Sequence, residues 1–535
     1  MKKIFLFIIL SMSLGNYAQA QLNAHFTTFE DFGSKAPNKS EFKAWRNESV
    51  ILPFLIYSDS TKGLDFQLKV EGKNVKAELI QLHLVEGDIS AGNCGNAKKN
   101  GTFVKDFFPD RAETLQGNSF TVESAITYGL VKIQIPEKLK PGSYPVELTF
   151  DQNGDSQKIE ATIKVIDQKL PDFSELDFEM DFWQFPQSIS TYYDFKPFSE
   201  EHWEQMGLMF EQLKVLNQTV VTTSVFYDLF NTKIKPVEQM MIQVRKKADG
   251  SYSYDYSTFE RYVELAASKG VSKEIAVHNL YPWNQTYFYF DETAGEVKTF
   301  KSAPGTDEYN AFWKPFLLDF ASYLKAKNWM DKAVFWVDER DMNKTAELVK
   351  YVKGIDPAFK FGYSGRFSPA LSELVYDYSL ASNIVLDPDK LALRKSKGFK
   401  TTYYTSCYEV QPNMLMASNY GDIYFLLMLS RAKGYDGMLR WAFNLWSSKI
   451  MKSAIFSDLP SGDSHFVYPD AQVSLRYLIL KDALEEVQKA DVKAKSPKSS
   501  AKTKELLKAY NRYFLLNNES ERNKMVSIMN KYLND

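Results

Sequence analysis

The chain has 535 residues, 44% of them hydrophobic and 25% charged, a globular composition that excludes a disordered or collagen-like polypeptide and predicts about two to four domains. Its 65 Lys and Arg nearly cancel its 67 Asp and Glu, so the basic excess of a nucleic-acid binder is missing. Two Cys are too few for a disulfide scaffold or a Cys-rich zinc site, and the five His lack metal-ligand spacing, so no metal centre is expected.

Residues 1–20 have the form of a secretory signal. Met1-Lys2-Lys3 precedes a short apolar run over 4–10, and Ala18-Gln19-Ala20 is an A-x-A cleavage site. Cleavage after Ala20 would export the protein as a secreted or periplasmic one; an uncleaved anchor is the alternative reading. The next residue is Gln21 and not Cys, which argues against a lipoprotein anchor. No later run of 18 apolar residues is long enough to span a membrane.

Residues 21–170 read as an N-terminal antiparallel β-sandwich. Asp65-Phe66-Gln67-Leu68-Lys69-Val70 and Leu130-Val131-Lys132-Ile133-Gln134-Ile135 alternate apolar and polar, as half-buried strands do. Val50-Ile51-Leu52, 144–150 and 159–166 complete the set, and Asn153-Gly154 is a hairpin signal between the last two. The polar stretch 86–118 reads as a long loop.

At Leu170-Pro171 the pattern changes to strands alternating with amphipathic helices. Strands are expected at 176–183, 219–225, 274–280, 333–337, 360–363, 383–386, 401–405 and 437–443. Helices are expected at 200–215, 257–269, 308–327, 344–353 and 473–487, with a hairpin near Ala248-Asp249-Gly250 and a long insertion ending at Pro304. About eight strand–helix units over 171–490 favour a (β/α)8 TIM-type barrel. An open doubly wound sheet is the alternative, but no G-x-G-x-x-G follows any strand. Residues 491–535 read as a linker (493–502) followed by C-terminal helices. Cys94 and Cys407 fall in different domains and are expected as two separate thiols.

A (β/α)8 barrel carries its active site at the C-terminal ends of its strands. The fourth expected strand, Ala333-Val334-Phe335-Trp336-Val337, ends in Asp338-Glu339. Of six adjacent acidic pairs in the chain, this one alone directly follows a buried apolar strand. In a continuing strand the two side chains would point to opposite faces. Both can face one pocket only if the strand breaks, and Arg340-Asp341-Met342-Asn343 reads as a break. The pair is thus either catalytic or a solvated strand end capping the next helix. Aromatic and amide residues gather at other strand ends: Trp183 with Gln184, Tyr227 with Asp228, Asn279, Tyr281, Trp283, Tyr404, Trp441, Asn444 and Trp446. Each alone is more often a core or structural residue. Together at one barrel face they provide flat apolar surfaces beside hydrogen-bonding groups, which is what a sugar needs.

Val337-Asp338-Glu339, then Gly437-Met438-Leu439-Arg440-Trp441-Ala442-Phe443-Asn444-Leu445-Trp446, then Ser461-Gly462-Asp463-Ser464-His465-Phe466-Val467-Tyr468-Pro469, in that order, resemble glycoside hydrolase family 123. Arg340 stands where that family usually has Pro after the acidic pair. The resemblance implies a β-sandwich followed by a (β/α)8 barrel and an exo-acting β-N-acetylgalactosaminidase acting on glycans or glycoconjugates. It also implies catalysis by Asp338 and Glu339. Ordinary retaining glycosidases set two carboxylates about 5 Å apart across the sugar. Adjacent residues cannot easily flank the ring that way, so the substrate's own 2-acetamido oxygen is the expected nucleophile. Asp338 would orient the acetamido group and Glu339, its carboxyl pushed up by burial and its neighbour, would serve as acid and base. Such a reaction needs neither metal nor organic cofactor. A glycosidase of another specificity on the same fold and a non-catalytic glycan-binding protein are the alternatives.

Overall fold

The computed structural model describes residues 22–535 apart from 30–31, 33–37, 59–62, 89–93, 95–103, 153, 227–228, 230–239, 457–458 and 517. The expected signal segment 1–20 lies outside the described residues, as do Tyr227 and Asp228.

The N-terminal part of the chain, to Lys169, forms ten strands: β1 (Asn23–Phe26), β2 (Glu41–Arg46), β3 (Ser49–Tyr57), β4 (Leu64–Val70), β5 (Lys76–Asp88), β6 (Lys105–Thr114), β7 (Ser119–Phe120), β8 (Ile126–Gln134), β9 (Gly142–Gln152) and β10 (Asp155–Lys169). One sheet orders β1-β3-β8-β5-β6 and the other β2-β10-β9-β4-β7. Leu52, Phe54, Val131 and Ile133 of the first sheet share one buried cluster with Phe42, Leu148, Phe150 and Ile163 of the second. The opposite face of the first sheet, through Ile51, Ile80, Leu82 and Leu130, joins the core of the rest of the chain. Burial on both faces explains why β3 reads Ser-Val-Ile-Leu-Pro-Phe-Leu-Ile-Tyr with no polar alternation.

Two expectations fail in this part. The stretch 86–118 is not one long loop: β5 continues to Asp88 and β6 pairs with it antiparallel. β6 escaped the alternation test because one of its two buried positions is the charged Asp110. Asp110 is buried against Arg476, whose Nε donates to Oδ1 at 2.9 Å. Cys94 and Cys407 are not separate thiols: they form a disulfide with Cα atoms 4.9 Å apart. The fold brings Cys94 against the barrel residue Cys407, which their places in different domains had argued against.

After Lys169 come β11 (Glu179–Phe182), β12 (Val220–Ser224), β13 (Gln243–Lys246), β14 (Tyr252–Asp255), β15 (Glu274–His278), β16 (Thr286–Asp291), β17 (Glu296–Lys301), β18 (Ala333–Asp338), β19 (Lys360–Gly365), β20 (Asp377–Ala381), β21 (Lys400–Tyr404), β22 (Gly437–Arg440) and β23 (Val473–Ser474). Eight of them form a parallel, nearly closed barrel in the order β11-β22-β21-β20-β19-β18-β15-β12. Side-chain amides bridge the seam between β11 and β12. Phe182 N–H donates to the Gln218 oxygen (2.7 Å) and Thr222 N–H to the Gln184 oxygen (2.6 Å). Gln184 was a candidate sugar ligand from its place at the strand end; the seam uses its amide. β13, β14, β16 and β17 form a four-stranded sheet, so the expected insertion before Pro304 holds a hairpin. β23 returns to pair with β6.

The expected strand at 383–386 is displaced: the barrel strand is β20, at Asp377–Ala381. Its inward polar residues hid it, because Asp377 pairs with Lys400 inside the barrel. Major helices occupy Glu200–Val215, Ser257–Ser268, Asp307–Ala326, Met342–Ile355, Gly421–Lys433 and Leu475–Lys495. The last runs into the expected linker, and helix Ser500–Leu516 begins inside it. With Glu519–Leu533 it packs on Gly421–Lys433. Among the described residues no helix is long and apolar enough to cross a membrane.

Candidate active site

β18 is buried from Ala333 to Val337, and the chain turns at its end. Glu339 has φ +48°, in the left-handed region, while its N–H still donates to Ser364 O at 2.9 Å. A non-glycine residue there costs on the order of 1–3 kcal/mol and needs surrounding structure to hold it. Asp341 then caps the next helix, accepting from Lys344 N–H at 2.9 Å. The turn takes Glu339 out of strand alternation, so both Asp338 and Glu339 line one cavity at the C-terminal ends of the barrel strands.

The cavity measures about 1040 Å³, and Trp183, Trp283, Tyr404 and Trp441 line it with the acidic pair. Asp338 Oδ1 accepts from Ser364 Oγ at 2.6 Å and Oδ2 from Trp283 Nε1 at 3.0 Å. Burial pushes the Asp338 carboxyl up to about 6; the Ser364 bond opposes the shift, the Glu339 charge adds to it, and Trp283 and Arg340 oppose it. The carboxyl that the structure raises is therefore the one expected to orient the substrate. Glu339 is exposed and accepts a hydrogen bond from Tyr404 OH. Burial and that carboxylate hold the Tyr404 hydroxyl well above its ordinary pKa, so it remains a donor.

The other carboxylates on the cavity wall are engaged. Asp341 is the helix cap. Glu409 accepts from Ser382 Oγ at 2.5 Å and Ser406 N–H at 2.8 Å. Asp463 is buried against Arg440 (2.8 Å) and accepts from Trp441 Nε1 at 2.9 Å. Asp338 and Glu339 are hydrogen-bonded as well, and they are the two cavity carboxylates that are adjacent in the chain. Among the described residues no group of three or more His, Cys, Asp or Glu is placed to hold a metal.

Besides Gln184, four residues singled out from the sequence do not reach the cavity wall. Asn279 and Tyr281 are buried behind it, and Tyr281 lies under the Arg340 guanidinium, 4.6 Å from its ring centre. Asn444 is a clamp: it accepts from Phe185 N–H (2.9 Å) and donates to Phe185 O (3.1 Å). Trp446 spends its indole N–H on Val467 O (2.8 Å) and packs on Tyr192. Conversely, Ser364 was missed, though it lies one residue before the end of β19 in register with Asp338. Its signal was available: it directly follows a predicted strand, 360–363. Asp463 lay within a quoted motif, and Cys94 and Cys407 also line the cavity.

The family model described as the catalytic domain of glycoside hydrolase 123 matches residues 183–492, more than half of the chain. A family 123 glycoside hydrolase from Clostridium perfringens, solved in a study of glycolipid glycan hydrolysis, superposes with a TM-score of 0.82 at 20% identity, covering 96% of this chain and 98% of that one. Bacteroides uniformis beta-glucuronidase 3 (TM-score 0.30, 9% identity, 86% of this chain and 51% of that one) and a cyclomaltodextrinase (0.31, 7%, 88% and 85%) are too distant to carry an argument. No curated protein sequence matches significantly.

Proposed function

The chain belongs to glycoside hydrolase family 123, and on that premise we propose that it removes terminal β-linked N-acetylgalactosamine from glycans or glycoconjugates by a substrate-assisted, retaining mechanism. The glycans of glycolipids, which the Clostridium perfringens relative was studied on, are the first candidates. We read the two N-terminal sheets as a β-sandwich over 21–170 and the parallel sheet as a (β/α)8 catalytic barrel over 171–490.

One observation carries the mechanism: two carboxylates adjacent in the chain share one wall of the cavity. A direct carboxylate nucleophile would need its acid about 5 Å away across the ring, which two adjacent residues at one strand end do not easily supply. The substrate's acetamido oxygen therefore attacks the anomeric carbon as the glycosidic bond breaks. Glu339 delivers its proton to the departing oxygen. Asp338, ionised, accepts the acetamido N–H and balances the positive charge of the oxazolinium ion. Water then adds to the anomeric carbon, loses its proton to Glu339 and reopens the ring with the original configuration. The Cys94–Cys407 bond supports export after cleavage at Ala20, because disulfides persist in oxidising compartments.

A panel of nitrophenyl glycosides tests the reading. The β-linked 2-acetamido galactoside should be cleaved and its 2-hydroxy analogue should not. Asp338→Asn should lose about a hundred- to ten-thousand-fold on every substrate. Glu339→Gln should lose most when the leaving group is a sugar hydroxyl, which needs the proton, and least with nitrophenolate. Efficient hydrolysis of the 2-hydroxy analogue would sink the mechanism.

A further inference from the structure

We propose that the part of the cavity over the ends of β19, β20 and β21 holds the sugar next to the cleaved bond, with Tyr408 as its stacking surface and the Cys94–Cys407 disulfide as its anchor. The inference rests on Glu339 being the acid and extends that reading to the leaving group.

The two carboxylates are tied to different sides of the mouth. Asp338 is bonded to Trp283, in the segment that follows β15, the neighbour of β18 on one side. Glu339 is bonded to Tyr404 at the end of β21, on the other side of β18 and beyond β19 and β20. The leaving oxygen must come within hydrogen-bond reach of the acid. The terminal sugar therefore sits by Asp338 and Trp283, and the remainder of the glycan leaves over β19–β21. The volume agrees: about 1040 Å³ is the size of a large ligand pocket and exceeds the needs of one sugar ring.

That quadrant is built as a site. Tyr408, four residues beyond Tyr404, lines the cavity although it is 71% exposed. Its loop is held rigid by groups that leave its ring uncovered. Asn413 Nδ2 donates to Ser406 O (2.7 Å) and Glu409 O (2.6 Å), and Arg440 donates to Thr405 O (2.6 Å). Cys407 is bonded to Cys94, which ties this loop covalently to a second part of the chain. Arg366 and Asn383, exposed after β19 and β20, line the same side and offer donors to hydroxyl groups. A flat exposed ring beside polar donors fits the face of a sugar.

The test compares two substrates of the whole protein. One is a reducing oligosaccharide ending in β-N-acetylgalactosamine. The other is β-N-acetylgalactosaminyl fluoride, whose leaving group is too small to fill the subsite. Tyr408→Ala should lower the ratio of the two kcat/KM values roughly ten-fold, and Tyr408→Trp should restore it. Cys94→Ser should lower the same ratio by freeing the loop. Equal losses on both substrates, or an unchanged ratio in Tyr408→Ala, would overturn the subsite while leaving the proposed function intact. A wild type that cleaves neither substrate would overturn both.

Discussion

Asp338 is held between opposing influences, and its titration should set the acid side of activity. Burial raises its carboxyl to about 6, while Ser364 and Trp283 donate to it and stabilise the charged form. Because the proposed mechanism needs Asp338 ionised, kcat/KM should fall as pH drops below about 6. Ser364→Ala removes a bond to the charged form only. The acid limb should therefore move to higher pH, by about one to two units for a hydrogen bond to a charged group worth about 1.5–3 kcal/mol. A pH profile of kcat/KM checks this; a limb that stays put or moves down would separate Asp338 from it. The pair itself was readable from the sequence, because an acidic dipeptide directly after a buried strand is a local pattern. Ser364 was not read, because a lone serine carries no signal until its strand is laid beside β18.

The turn that ends β18 and the segment after β15 act together. Arg340 lies 4.6 Å from the Tyr281 ring centre and 5.4 Å from that of Trp283, and the Trp283 indole donates to Asp338. The cation steadies the indole, and the indole steadies the carboxylate. Trp283→Phe and Arg340→Met should each shift the acid limb upward, since both groups favour ionised Asp338. The double variant should shift it by less than the sum, because one effect acts partly through the other. Additive shifts, read in a four-protein pH comparison, would make the two independent. At this scale the sequence was readable where strands are apolar, as in β18, or alternate cleanly, as in β4. It was opaque in β6 and β20, whose covered Asp110 and Asp377 are neutralised by Arg476 and Lys400. A buried charge with its partner far along the chain looks like a loop residue when read alone.

Across the whole molecule, Asp110 and Arg476 form a fully buried ion pair between the first sheet and the helix Leu475–Lys495. Tyr468 OH also donates to Asp110 at 2.6 Å. Burial alone would raise the Asp110 carboxyl, but the Arg476 charge and hydrogen bonds outweigh it and the net shift is downward. The pair's stabilisation is therefore present above the ordinary carboxylate value of 3.8 and is lost as pH falls below it, through the depressed value. Arg476→Met leaves a buried carboxylate without its cation and should cost about 3–5 kcal/mol in denaturant unfolding at neutral pH. Adding Asp110→Asn should recover much of that loss. A single variant as stable as the wild type would show that the two parts are held together by other contacts.

Local pattern by itself determined that the chain has an all-strand part and a longer strand–helix part, that an acidic pair ends the strand Ala333–Asp338, and that aromatic residues gather at strand ends. Those properties depend on neighbours a few residues apart, where periodicity and adjacency act. Tertiary structure alone decided which of those aromatics face the cavity. Trp183, Trp283, Tyr404 and Trp441 do, while Asn444 is consumed by Phe185, 259 positions away. It alone joined Cys94 to Cys407 across 313 residues and turned Glu339 into a left-handed conformation beside Asp338. The reason is physical: a side chain's role is set by which donors, acceptors and charges fold against it, and those come from distant parts of the chain.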